Sequence, residues 1–125
     1  MSQTENYWQT LTSSSNMHFE KGDFKNALSG YEDALCRAEV LNNHISDCIR
    51  LQIPFIQVYI ISCNNLANTY EVLGKHEDTE SMLKRSVYYL LHLAKNNMLN
   101  MDEIHAETEE KCVELCKFCR QNKSR

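Results

Sequence analysis

The chain has 125 residues, one domain's worth, with thirteen Lys and Arg against seventeen Asp and Glu for a formal net charge of −4. That mild acidity runs against a nucleic-acid binder, which carries a basic balance. Three glycines and one proline are too few for the many turns of an all-β fold, so the composition points to helices.

The first helix is expected from Glu5 to Lys21, with Trp8, Leu11, Ser15 and His18 spaced by threes and fours on one face. Gly22 stops it, because glycine takes up the left-handed conformation at a helix C-terminus without steric cost. Asp23 is then the N-cap of a second helix, whose stripe of Phe24, Ala27, Leu28, Tyr31, Ala34, Leu35, Ala38, Leu41 and Ile45 predicts continuation to about residue 49. Pro54 forces a break and opens the third helix, from Pro54 to Leu73, with Tyr59, Ser62, Cys63, Leu66, Ala67 and Tyr70 facing inward. Gly74 ends it as Gly22 ended the first. A fourth helix buries Thr79, Leu83, Ser86, Val87, Leu90 and Ala94 and gives out near Asn96 and Asn97. Asn100 with Glu103 forms a capping-box pattern for a fifth helix, expected over 100–121, with Ile104, Thr108, Cys112, Leu115, Cys116 and Cys119 on its inner side. The expected fold class is therefore all-α, about five helices in antiparallel hairpins.

The first twenty residues contain no Lys or Arg and no continuous apolar run, so no secretory signal is expected. The uncharged stretch from Leu51 to Tyr70 is long enough to span a membrane, yet it holds Gln52, Gln57, Asn64, Asn65 and Asn68, which hydrocarbon does not tolerate unpartnered. It reads as a buried amphipathic helix with no membrane role. Six cysteines without an export signal indicate free thiols in a reducing compartment, the cytoplasm.

The two glycine-punctuated hairpins share a frame. Gly22, Phe24, Ala27, Tyr31 and Ala34 in the first correspond to Gly74, His76, Thr79, Leu83 and Ser86 in the second, and Leu66, Ala67 and Tyr70 lead into Gly74. This pattern resembles the tetratricopeptide repeat, a helix–turn–helix unit whose small residues let two helices approach closely. The resemblance covers residues 8–93 and implies a right-handed stack: a single domain of 1–125 with hairpins at 5–50 and 54–96 and a capping helix at 100–121. Gly22 and Gly74 are 52 residues apart where the family repeats at about 34, so helices two and three are each expected to be about two and a half turns longer than usual. Phe55, Ile56, Ile60, Ile61, Tyr88, Tyr89 and Leu91 exceed the needs of one apolar stripe. A homodimer would cover them; equally, the third helix is central, with neighbours on both sides.

In the resembled family the first helices of successive repeats line a concave surface that holds a peptide or a partner helix. Here that implies helices one and three. The rows opposite their core faces are Gln9, Thr12, Asn16 and Glu20 on one, and Gln57, Ile61, Asn64, Asn68 and Glu71 on the other. Asn16 and Asn68 each stand six residues before a turn glycine, and an amide both donates to and accepts from a peptide backbone. Neither row contains the Lys or Arg with which some family members clamp a terminal carboxylate, so Glu20 and Glu71 favour a neutral or basic ligand. The competing reading of both rows is a solvated helix face.

Chemistry-bearing motifs are sparse. Cys112, Cys116 and Cys119 fall at i, i+4 and i+7, the spacing of a buried face; a metal or redox site with His105 as fourth ligand is the alternative. Lys111, Lys117, Arg120, Lys123 and Arg125 make the chain's end basic, but Phe118 alone interleaves them, against a nucleic-acid site. No phosphate loop, nucleophile elbow or paired-His motif occurs. The expectation is a non-enzymatic protein-interaction module, an adaptor with a protein or peptide partner, no catalytic residues, no metal and no cofactor. A chaperone for a secreted protein is a further alternative.

Overall fold

A computed structural model describes residues 3–95 together with Glu110. Five helices run in chain order: α1 (Gln3–Glu20), α2 (Phe24–Asn42), α3 (Ile45–Arg50), α4 (Phe55–Val72) and α5 (His76–Lys95). No strand occurs among the described residues, and the fold is all-α. Apart from Glu110, which is helical, the helix expected at 100–121 lies outside the described residues, as do Cys112, Cys116, Cys119 and His105.

Both glycine turns close in the same way. After α1, the Gly22 N–H donates to the Phe19 carbonyl (3.0 Å) and the Asp23 N–H to that of His18 (2.8 Å). After α4, Gly74 donates to Glu71 (3.0 Å) and Lys75 to Tyr70 (2.9 Å). This pair of reversed bonds requires a left-handed residue, and the glycines supply it at φ 81° and 75°. Asp23 then caps α2, its Oδ1 accepting from the Asn26 N–H at 3.4 Å.

The sequence expectation fails at the end of α2, which stops at Asn42 instead of running to residue 49. Asn42 turns its Nδ2 back onto the Ala38 carbonyl at 3.0 Å, and His44 leaves helical geometry at φ −133°. A separate short helix, α3, and the turn after it then bring Cys48 and Ile53 into the core, both buried. The Cys48 thiol donates to the Leu41 carbonyl at 3.4 Å, sharing that acceptor with the His44 N–H at 3.0 Å. Part of the extra length between Gly22 and Gly74 thus goes into a corner, not into longer helices. That corner closes with the same reversed bonds, Gln52 to Ile49 and Ile53 to Cys48, but with Gln52 in the left-handed position at φ 57°.

Packing order is α1 on α2, α2 on α4 and α4 on α5. Between α1 and α2, Ser15 faces Gly30 so closely that a Cβ there would lie 1.9 Å from the serine Oγ. The expected inner faces are the observed ones through α2, α4 and α5, except that Leu93, not Ala94, is the deeply buried residue of the last turn. Phe55, Ile56 and Ile60 are buried within the chain, which makes α4 a central helix; Ile61, Tyr88 and Leu91 remain exposed. Tyr89 stacks on Tyr59 (centroids 4.0 Å apart) and its hydroxyl donates to Asn42 Oδ1 at 2.6 Å. Arg85 ties the same corner, donating from Nε to the Tyr59 hydroxyl at 2.9 Å and pairing with Glu39. Among the described residues, no helix is long and apolar enough to cross a membrane.

Candidate functional site

Helices α1 and α4 both pack on α2 and run in the same direction. Asn16 pairs with Tyr31 and Tyr7 with Arg37, so α2 descends as α1 rises. Tyr70 meets Glu32 while Tyr59 reaches Glu39 through Arg85, so α4 is also antiparallel to α2. Their register is set at two points. Trp8 Nε1 donates to Ser62 Oγ at 2.7 Å, joining α1 directly to α4. Asn16 and Tyr70 stand level because their partners, Tyr31 and Glu32, are consecutive on α2. Asn16 and Asn68, equivalent by their distance from the turn glycines, are therefore offset by two residues, about 3 Å along the helices.

The row on α4 stands out. Gln57, Ile61, Asn68, Glu71 and Val72 are its exposed residues, and Asn64 and Asn65 are half-buried beside them. Phe55, Ile56, Val58, Tyr59, Ile60, Ser62, Cys63, Leu66, Ala67 and Thr69 are all buried. One stripe of this helix is thus left uncovered, with Ile61 at 42% exposure and amides on either side. The row on α1 is less distinct, since Gln9, Asn16 and Glu20 share their exposure with Tyr7, Thr10, Ser13, Ser14 and Met17.

Two members of the α1 row are partly committed inside the protein, which spacing along the chain does not indicate. Asn16 Oδ1 accepts from the buried Tyr31 hydroxyl, so only its remaining lone pair and its N–H groups can serve a ligand. The Thr12 hydroxyl oxygen is shut off from solvent without a hydrogen-bond partner. The polar end of the face is electronegative. Burial, and then Glu20, push the Tyr31 hydroxyl above its ordinary pKa; burial, and then Glu32 and Asp78, do the same for Tyr70.

A concavity of about 260 Å³ lies at the α2–α3 corner between Val40, His44, Asp47, Arg50 and Leu51. It is invisible to a sequence reading that carries the second helix on to residue 49, because a continuous helix leaves no corner there. Among the described residues, no group of three or more His, Cys, Asp or Glu could hold a metal ion. Cys36 is an exposed free thiol, while Cys48 and Cys63 are buried and unbridged. Burial pushes the Cys63 thiol up, away from reactive thiolate.

These features define a protein built of stacked antiparallel helical hairpins whose central helix keeps one amide-flanked stripe open. A family model matches residues 6–123, and the chain belongs to that family, described as a protein of unknown function (DUF2753). No curated protein and no solved structure matches the chain.

Proposed function

We propose that this protein is a non-enzymatic adaptor, tetratricopeptide-like in its build, that holds a segment of a partner protein along α1 and α4. The observation that carries this reading is the single open stripe of α4. A helix covered on its other sides gains nothing in stability by leaving Ile61 in water, whereas a binding face needs an apolar anchor with hydrogen-bonding groups around it. Asn64, Asn68 and Asn16 provide such groups without charge, which suits recognition of a peptide backbone. Buried, unbridged thiols at Cys48 and Cys63 fit a reducing compartment, and we place the adaptor in the cytoplasm.

Affinity purification with the intact chain and with Asn68→Ala tests the reading. Loss of a stoichiometric partner in the variant supports it; retention of every partner argues against this face. Asn16→Ala is the less clean variant, because it also removes the acceptor of the Tyr31 hydroxyl. It needs a thermal melt beside it.

A further inference from the structure

The open face has a polarity along its length, and the bearing of that polarity on a ligand rests on the adaptor reading. Glu20 is in the last turn of α1 and Glu71 in the last turn of α4, and the parallel run of the two helices puts both at the same end. The C-terminal carbonyls of both helices add partial negative charge there. Glu32, which accepts from the Tyr70 hydroxyl at 3.5 Å, lies behind them on α2. Lys21 and Lys75 stand beyond the helix ends in the turns, so the rows themselves hold no cation. Ten residues back along α4, Ile61 offers the exposed aliphatic surface. Between these two points the face is uncharged: Asn64 and Asn68 on α4 and Asn16 on α1.

We propose that the occupant is an extended peptide whose aliphatic side chain seats on Ile61 and whose Lys or Arg, four residues away, meets Glu71 and Glu20. An extended ligand suits the amide row better than a helical one, whose backbone N–H and C=O groups are already paired with each other. The spacing is fixed by dimensions. Ten residues of α-helix rise about 15 Å. Four residues of extended chain advance about 13 Å, and the long stem of Lys or Arg spans the rest. An even spacing also keeps both side chains on the same side of the extended peptide, facing the protein. Two exposed carboxylates at the same end of the face give a preference for a cation that salt weakens.

The test uses fluorescein-labelled peptides of ten residues, based on Ser and Ala, carrying one Leu and, four residues away, either Lys or Glu, in both sequence orders. Fluorescence anisotropy with the full chain is expected to favour the Lys peptide about fivefold at low ionic strength, with the preference shrinking in about 0.5 M NaCl. With Glu20→Lys and Glu71→Lys together, the preference is expected to reverse toward the Glu peptide, circular dichroism confirming that the helices persist. Equal affinity for the two peptides overturns the inference while leaving the adaptor reading intact. Binding of neither peptide in either order overturns it too, whereas the adaptor reading falls only if the Asn68→Ala purification keeps every partner.

Discussion

At the scale of single residues, three positions among the described residues take the same left-handed conformation, and two of them are glycine. Gly22 and Gly74 have nothing within 4 Å of the place a Cβ would occupy, so replacing either by Ala meets only the backbone penalty. That penalty is about 1 kcal/mol for each, read as a shift in urea midpoint. Gln52 carries the same strain at φ 57°, and Gln52→Gly is expected to stabilise the protein by about as much. A loss of stability in that variant would show that the Gln52 side chain makes a contact worth more than the strain. Asp23 adds a pH dependence. Its hydrogen bond from Asn26, and then His18, hold its carboxyl below the ordinary value. A depressed folded-state pKa contributes stability that is complete above the unfolded value, near 4, and is lost as pH falls through the folded one. Asp23→Asn keeps a capping oxygen but does not titrate, so thermal melts between about pH 6 and 3 are expected to lose less on the acid side than wild type.

At the scale of elements, α1 and α2 come together most tightly where Ser15 meets Gly30. Ala at position 30 would ordinarily help a helix by about 1 kcal/mol, but here its methyl meets the serine oxygen. Gly30→Ala is therefore expected to destabilise alone and to be tolerated better in a Ser15→Ala background. A double-mutant cycle with no coupling would contradict this packing. Apolar periodicity makes α1, α4 and α5 legible from the sequence, and the two glycines mark their turns to within a residue or two. The corner between α2 and α4 is not legible in that pattern. Ile45 continues the α2 stripe in register, so periodicity does not announce the break; the local signal is Asn42, whose side chain turns back onto the Ala38 carbonyl, and burial of Cys48 and Ile53 adds to it. In the candidate site, periodicity puts Gln57, Ile61, Asn68 and Glu71 on the exposed side of α4, while Asn64 of the same row is half-buried. It does not reveal the Tyr31–Asn16 bond, which depends on how two helices cross and not on spacing within either.

At the scale of the whole molecule, a hydrophobic core runs from Trp8 in α1 through α2 and α4 to Leu90 and Leu93 in α5. Helices sharing a core melt together. Trp8, the chain's single tryptophan, reports the α1–α4 junction by its fluorescence, while circular dichroism reports all the helices. The two unfolding curves in urea are expected to coincide. An earlier fluorescence transition would mean that α1 detaches first and that the face it shares with α4 is not preformed.

Whether the open stripe of α4, beside α1, holds a peptide is measured most directly by amide chemical-shift mapping by NMR with the Leu–Lys peptide. The prediction is perturbation concentrated over residues 57–71 and 9–20. Perturbation centred on residues 40–53, at the α2–α3 corner, would contradict it.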